Sequence, residues 1–218
     1  MFSLAALVLL ASAPDASAWA SKVQKAYEGL KDYSAGFEQQ AILKTGPGPK
    51  ATGKVYLAKP GKMRWEFESP DKKTVVSDGK TMWVYDPEEN QVLVQEHLEL
   101  STSLTALNFL SGLGQLGKDF DVSPSAPRAD ASDPKAVFLS LKPKPTADVQ
   151  LAEIVLEVDP RTSLANEVYL VDGLGNQTRL TFKSPQVNRG LKASTFTFTI
   201  PKDAEVINPT AVAPPKPK

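Results

Sequence analysis

Apolar and polar side chains alternate along much of the first hundred residues. Met63, Trp65 and Phe67 alternate with the charged residues between them, and a similar alternation precedes them. Successive side chains of a strand point to opposite faces, so each run predicts a strand with one apolar face and one wet face. Pro-Gly and Asp-Gly pairs between the runs are typical of tight turns. The pattern therefore predicts an antiparallel meander.

The second half of the chain continues this pattern after a loop rich in Pro, Ala, Asp and Ser at residues 123–134. Asp-Pro and Asp-Gly pairs again mark turns between the apolar runs. A second meander is predicted to extend the same sheet. Its predicted strands span residues 137–141, 151–158, 164–171, 178–182 and 196–200.

Two segments follow a helical period instead. The first has apolar residues in one helical stripe, at Trp19, Val23, Ala26, Tyr27 and Leu30. Spacings of three, four and seven residues place such side chains on one face of a helix, which is expected to pack on the sheet.

The second helical segment is short and very apolar. Leu104, Leu107 and Leu110 recur at helical spacing after a Ser-Thr pair that can cap the helix. Glycines at 112, 114 and 117 then give the exit backbone freedom. This segment is predicted to be a movable lid.

A sheet of roughly ten antiparallel strands with one apolar face must close on itself or be covered. Two short helices are too little to cover it. The pattern thus favours a mainly β fold with a helical lid (α+β), an unclosed antiparallel β-barrel enclosing a hydrophobic cavity. The alternative is the same sheet with a fully packed core.

The amino terminus has the form of a secretion signal. An apolar run at residues 2–13 precedes an Ala-Ser-Ala pattern that ends at Ala18. Residues 1–18 are predicted to be a signal peptide cleaved after Ala18, although a buried N-terminal helix is the alternative. The domain is expected at residues 19–205, and the Pro-rich residues 206–218 are predicted to be a disordered tail. The chain has no cysteine, which excludes disulfides and a lipid anchor on a cysteine after the signal.

Composition and motifs provide no catalytic site. The formal net charge is zero, without the basic excess that is typical of nucleic-acid binding. His97 is the only histidine, and no nucleophile motif or set of zinc ligands accompanies it. The glycines at residues 112–117 match a dinucleotide fingerprint but follow a predicted helix instead of a strand. We therefore expect no enzyme activity, no cofactor and no metal.

Lys59 stands apart among the charged residues. It follows Val55 and Leu57 on the apolar face of the strand, directly before Pro60. An ammonium group at that rim could donate to the unpaired carbonyls at a helix terminus. The alternative is a lysine whose stem covers apolar surface and whose charge stays in water.

Several stretches resemble the LolA family of outer-membrane lipoprotein carriers. The resemblance rests on residues 53–65, on Pro70 and above all on Ser-Asp-Gly-Lys-Thr-Met-Trp-Val-Tyr-Asp-Pro at residues 77–87. Phe37 with Gln39 is similar to the first-strand motif of the family, and residues 196–201 are similar to its closing strand. The resemblance covers nearly all of the chain after the predicted signal.

The resemblance implies an unclosed barrel of about eleven strands with a helical lid over a cavity for acyl chains. Family members carry a basic residue, typically arginine, before the proline of the second strand, where it latches the lid; that position is Lys59 here. Lysine lacks the planar fork of arginine, so a weaker latch is expected. The predicted cavity residues are Phe37, Val55, Leu57, Met63, Trp65, Val75, Trp83, Tyr85, Leu104, Leu107 and Leu110.

The resemblance also implies a function and partners. The expected protein is a periplasmic, monomeric carrier that receives lipoproteins from an inner-membrane ABC transporter of the Lol type. It would deliver them to an outer-membrane acceptor lipoprotein, LolB or an equivalent. The alternatives are a lipid-sensing regulatory module of the same fold, which usually has a second domain, and a carrier of another envelope lipid.

Overall fold

A single sheet organises the molecule. In the computed structural model, described here for residues 15–96, 116–128, 131, 133–145 and 151–208, twelve strands form that sheet. The strands are β1 (Asp32–Leu43), β2 (Gly46–Ala58), β3 (Lys62–Ser69), β4 (Lys73–Asp78), β5 (Met82–Asp86), β6 (Gln91–Gln95), β7 (Phe120–Pro124), β8 (Val137–Pro143), β9 (Glu153–Val158), β10 (Ala165–Val171), β11 (Gln177–Val187) and β12 (Glu205–Ile207). The helices are α1 (Ala16–Gly29), α2 (Leu116–Asp119) and a 3₁₀ helix (Ala193–Phe196).

The strands are joined mainly as sequential hairpins. Their order across the sheet is β12-β6-β5-β4-β3-β2-β1-β11-β10-β9-β8-β7. The two halves of the chain join where β1 pairs with β11, with Phe37 opposite Phe182. β12 and β7 end the sheet and do not pair with each other, so the barrel is unclosed, and this part of the fold prediction is confirmed.

The carboxyl-terminal part of the sheet differs from the prediction. Residues 196–200 were expected to form the closing strand, yet residues Ala193–Phe196 form a 3₁₀ helix and residues 197–200 pair with no strand. Phe196 is only 2% exposed, and the 3₁₀ helix that holds it lies against β3 and β4. The last strand is instead β12, which pairs in parallel with β6. Strand β7 was not predicted either.

Helix α1 packs on one face of the sheet, which we call the inner face. Asp15 caps the helix by accepting hydrogen bonds from the backbone N–H groups of Ser17 (3.0 Å) and Ala18 (3.2 Å). The predicted apolar stripe is confirmed: Val23 and Tyr27 are buried in the core, and the other three members pack against it. None of the helices in the described part of the chain has the length and apolar composition needed to span a bilayer.

The core joins α1 to strands from both halves of the sheet. Side chains from β1, β2, β3 and β7–β11 belong to one cluster with the helix. Strands that lie far apart in the sheet order can meet one helix only if the sheet curls around it. The core thus lies inside the curve, between α1 and the inner face.

Two ends of the curved sheet can be distinguished. The β1–β2 and β10–β11 turns lie at one end, because Ile42 at the end of β1 pairs with Gln177 at the start of β11. The β3–β4 turn points to the same end, since β3 runs antiparallel to β2. We call this end the mouth. The β2–β3 turn, with Lys59, lies at the opposite end, where Tyr33 pairs with Val187; we call it the base.

The outer face is also partly covered. Ala131 and Ala136 pack over β8–β10, where Phe138, Val155 and Tyr169 form a small separate core. Glu167 is 2% exposed in this region. Its carboxylate accepts hydrogen bonds from the hydroxyl of Thr181 (2.8 Å) and from that of Tyr169. Buried polar groups with partners avoid most of the cost of losing water.

Asp32 connects the start of β1 to the loop after β11. Its side chain is buried and accepts backbone hydrogen bonds from Arg189 (2.8 Å), Gly190 (2.9 Å) and Leu191 (3.4 Å). One carboxylate therefore provides the hydrogen-bond acceptor for three backbone N–H groups of the loop.

We expect Asp32→Ala to lower the free energy of unfolding by about 3 kcal/mol, because it leaves these donors without a partner at a buried site. Urea denaturation measures the change. Asp203→Ala is the control: Asp203 is exposed and its carboxylate forms no hydrogen bond among the described residues. Equal stability of the two variants would contradict the structural role of Asp32.

Candidate functional site

An aromatic cluster lies at the centre of the inner face. The ring of Phe37 is edge-on to Trp65 (5.0 Å between centroids) and to Phe67 (5.1 Å). Phe182 extends the cluster toward Tyr33, with centroids 6.1 Å apart. Edge-to-face pairs are favourable beyond the area they bury. The cluster brings together β1, β3 and β11, which are far apart in sequence.

Gly53 makes room for the cluster. It lies opposite Phe37 in the register of β1 and β2. A Cβ atom at this position would lie 2.8 Å from Cε1 of Phe37 and 2.0 Å from the carbonyl oxygen of Glu66. Only glycine lets the ring lie against the strand backbone.

The aliphatic residues predicted for the cavity lie beside the aromatic cluster. Val55, Leu57 and Met63 are buried, and Val75 is partly buried against the same core. Register explains this, because Leu57 is paired with Met63 and Val55 with Trp65. Trp65 in turn is paired with Val75 across β3 and β4. The structure thus places six of the predicted residues on the inner face: Phe37, Val55, Leu57, Met63, Trp65 and Val75.

Trp83 and Tyr85 lie elsewhere, and their predicted place with the cavity residues was wrong. Val75 pairs with Val84, so alternation sends the side chains on either side of Val84 to the outer face. There both rings contact Phe198, at 6.3 Å and 5.9 Å between centroids. Phe198 follows the 3₁₀ helix, and Arg64 fixes that helix to β3 by donating to the carbonyl of Thr195 (3.4 Å).

Leu104, Leu107 and Leu110 lie outside the described residues, as does the whole predicted lid. Among the described residues, Phe67 and Phe182 belong to the inner cluster and were missing from the predicted set. Phe67 continues the alternation of Met63 and Trp65, so the sequence contained the signal. Phe182 also alternates with polar neighbours in a predicted strand, but its pairing with Phe37 joins distant strands and had no local signal.

The phenols next to this core stay neutral. Burial raises the pKa of both Tyr27 and Tyr33 well above the usual range for tyrosine. The hydroxyl of Tyr27 accepts a hydrogen bond from the backbone N–H of Ala165 (3.2 Å). This bond ties α1 to β10 without adding charge to the apolar region.

Lys59 at the base is bonded to helix α1. Its ammonium group donates to the carbonyl oxygen of Glu28 at 2.6 Å, in the last turn of the helix. The last turn of α1 has no basic residue of its own, so Lys59 provides the cation that a helix carboxyl terminus favours. The bond joins the β2–β3 turn to α1.

Two grooves of ligand size border the core in the described part of the chain. One, of about 400 Å³, opens at the mouth; it is lined by Gln39, Ala41, Pro49, Ala51, Phe67 and Pro70 together with the charged residues Lys50, Asp71 and Lys73. We call it the mouth groove. The other, of about 450 Å³, lies between α1 and β7 and has Lys25 and Lys144 among its lining residues. Both volumes are in the range of small-ligand sites. Phe67 belongs to both the aromatic cluster and the mouth groove, so apolar surface continues from the core to the mouth.

Comparison with known proteins places this architecture in a family. The profile of the family described as "Outer membrane lipoprotein carrier protein LolA" matches residues 28–199. The outer-membrane lipoprotein carrier protein of Chromobacterium violaceum is 28% identical over 209 residues, covering 95% of this chain and 96% of that protein. That of Xylella fastidiosa is 32% identical over 203 residues and covers 92% of each chain.

The fold itself also occurs in solved structures. An uncharacterized conserved protein from Thermus thermophilus superposes with a TM-score of 0.56, covering 88% of this chain and 98% of that one. The two are only 16% identical in sequence, so the likeness concerns the fold alone.

We expect Gly53→Ala to lower the free energy of unfolding by at least about 2 kcal/mol, because the new methyl group meets Phe37 and the backbone of β3. Thermal and urea denaturation measure the effect. Gly29→Ala is the matched control, since no heavy atom lies within 4 Å of a Cβ at that position. If both variants unfold like the parent protein, Gly53 is not needed for packing the cluster.

Proposed function

The chain belongs to the LolA family of outer-membrane lipoprotein carrier proteins, and we propose that it moves lipoproteins by burying their acyl chains on the inner face of its sheet. The observation that carries this proposal is the continuity of the aromatic cluster with the mouth groove through Phe67. An apolar surface that leads from an opening into the core suits an alkyl chain, which offers no hydrogen bonds.

The energetics of an acyl chain require such a surface. Each buried methylene group contributes about 0.8 kcal/mol, so a lipid-modified protein alone in water would insert into a membrane or aggregate. A carrier must offset most of that cost and still release the chain. Edge-to-face rings and Met63 provide an adaptable lining for this purpose.

We further propose that α1 and the segment at residues 104–110 cover the chain-binding surface and move during loading. Lys59 holds α1 at the base through the carbonyl of Glu28, which stabilises the closed, empty form. The bond is partly exposed, so we assign it about 1 kcal/mol, enough for a several-fold bias between closed and open forms.

The proposed pathway is periplasmic, with removal of the signal peptide after Ala18. The carrier, a monomer, receives lipoproteins from an inner-membrane ABC transporter of the Lol type. It passes them to an anchored acceptor, LolB or an equivalent. It performs no chemical reaction and needs only to bind and release its cargo.

The carrier function is tested by release of a triacylated lipoprotein from spheroplasts. The purified protein is expected to transfer the lipoprotein into the supernatant in a soluble complex, whereas buffer alone does not. Mass spectrometry of the complex identifies the bound lipid. Release no better than with buffer contradicts the proposal, and recovery of a free envelope lipid alone would indicate a carrier for that lipid.

A matched pair of variants locates the binding surface. Phe67 and Phe198 are both partly buried aromatics, on the inner and outer face respectively. Phe67→Asp should lower release about ten-fold or more, because a carboxylate in the mouth groove opposes burial of an alkyl chain. Phe198→Asp should leave release within about two-fold. Equal loss in both variants, with both folded by circular dichroism, would remove the inner face from the binding site.

Lys59 is tested by transfer from carrier to acceptor. Lys59→Leu removes the bond to Glu28 that stabilises the closed, empty form. The open, loaded form is then favoured, so the variant should retain lipid more tightly and deliver it several-fold more slowly. Lys59→Arg should restore delivery, since the guanidinium fork offers several donors to the same helix terminus.

The control for this experiment is Lys80→Leu. Lys80 is an exposed lysine in the β4–β5 turn at the base, and its ammonium group forms no bond among the described residues. If Lys59→Leu and Lys80→Leu both transfer at the parent rate, the bond between Lys59 and Glu28 has no part in delivery.

A further inference from the structure

Two hairpin tips stand side by side at the mouth. The β1–β2 turn and the β10–β11 turn project beyond the last pair of their strands, Ile42 with Gln177. They contact each other directly, since the backbone N–H of Lys44 donates to the side-chain oxygen of Asn176 at 3.3 Å. We call residues 43–48 and 173–176 the mouth tip.

The mouth tip exposes two leucines. Leu174 is 73% exposed and Leu43 is 40% exposed. A single exposed leucine on a protein surface is ordinary, but here two lie on adjoining projecting turns. The remaining residues of the tip are Gly, Pro, Thr and Asn, apart from one lysine, Lys44.

The polar backbone of the β10–β11 turn is already hydrogen-bonded. The carboxylate of Asp172 accepts from the N–H groups of Leu174 (2.9 Å) and Asn176 (2.8 Å), and its carbonyl accepts from Gly175 (3.0 Å). An apolar environment penalises unpaired N–H groups heavily, and this turn exposes none of these three. The β10–β11 part of the tip can therefore leave bulk water without exposing these three N–H groups.

The mouth tip adjoins the mouth groove. Leu43 lies on the same strand as Ala41 of the groove lining, and both side chains approach Gly48, whose added Cβ would lie 3.0 Å from Ala41 and 3.2 Å from Leu43. The apolar path from the aromatic cluster thus ends at the exposed leucines.

We propose that the mouth tip is a membrane-contact surface, which places Leu43 and Leu174 among the headgroups and upper acyl chains of an anionic phospholipid bilayer. Lys44 has no ion-pair partner among the described residues and supplies the positive charge for anionic headgroups. The contact brings the mouth groove to the bilayer surface. The part that this contact would play in lipoprotein transport rests on the function proposed above.

A bilayer fits this surface better than a protein partner. Stable protein interfaces bury about 800 Å² on each side, with a packed centre, whereas two leucines on a narrow tip provide far less. Weak, reversible contact with a membrane needs only a few apolar side chains together with a cation. A carrier that must leave the membrane again also needs such a weak contact.

The test uses the absence of cysteine in the chain. Leu174→Cys is labelled with an environment-sensitive fluorophore and mixed, without cargo, with vesicles of phosphatidylethanolamine and phosphatidylglycerol. The emission should shift to the blue, and lipids with quenchers near the headgroups should quench it. The control is Val187→Cys, at the base end of β11; Val187 is 39% exposed. Its label should not respond.

Substitutions then measure the contribution of each part. Leu43→Asn/Leu174→Asn should bind the vesicles at least about ten-fold more weakly, whereas Val187→Asn should bind like the parent protein. Lys44→Ala should weaken binding about five-fold on anionic vesicles and not on phosphatidylcholine vesicles.

Three results would overturn the proposal: no response of the label at residue 174, an equal response at residue 187, or unchanged vesicle binding by the double variant. If the double variant keeps vesicle binding but loses delivery to the acceptor, the tip docks a protein and the proposal is wrong. Vesicle binding is measured without lipoprotein, so its outcome is independent of the spheroplast assay. Failure of one proposal is thereby distinguished from failure of the other.

Discussion

Exclusion of water from one face of a very wide sheet is the constraint that shapes this structure. Twelve strands present more apolar area on the inner face than the fourteen residues of α1 can cover while the sheet is flat. Curvature solves part of the problem, because it lets β1–β3 and β7–β11 share one helix. Among the described residues, a groove at the mouth leads to the aromatic cluster, and its volume is in the range of small-ligand sites.

The apolar residues of the outer face are covered in a different way. Residues outside the strands cover them: Ala131 and Ala136 over β8–β10, and Phe198 over Trp83 and Tyr85 of β5. Trp83 and Tyr85 are therefore structural residues of an outer core. The residues that cover the outer face pack against that face, so this packing does not occupy the inner face.

The two ends of the curved sheet also have different properties. At the base, Lys59 bonds the carboxyl end of α1, and Asp32 binds the loop after β11, so hydrogen bonds to charged side chains connect the elements. Any movement of the carboxyl end of α1 away from the sheet would therefore have to break the bond between Lys59 and Glu28. At the mouth, the groove combines apolar residues with the charged residues Lys50, Asp71 and Lys73, and two exposed leucines lie nearby.

Local periodicity was enough to predict several elements and part of the site, whereas long-range pairing settled the rest. Alternation in β2 and β3 identified an apolar face that contains Met63 and Trp65, the stripe of α1 was predicted correctly, and turn residues located the hairpins. The position of Lys59 before Pro60 indicated a donor for a helix terminus. These features follow from side-chain spacing along one segment, which is the information that a sequence holds directly. The width of the one-faced sheet favoured an unclosed barrel, and the family resemblance implied the same fold and the carrier function.

The face that each run occupies, and the distant strands that meet, depend on the tertiary structure. Trp83 and Tyr85 alternate just as regularly as Trp65 and Phe67, and a shift of one residue in register reverses the face of a strand. The pairing of β1 with β11 brought Phe182 to Phe37, and packing on the outer face turned the expected strand at residues 196–200 into a covering segment. Such choices depend on long-range pairing and on competition for buried area, and no local pattern encodes either of them.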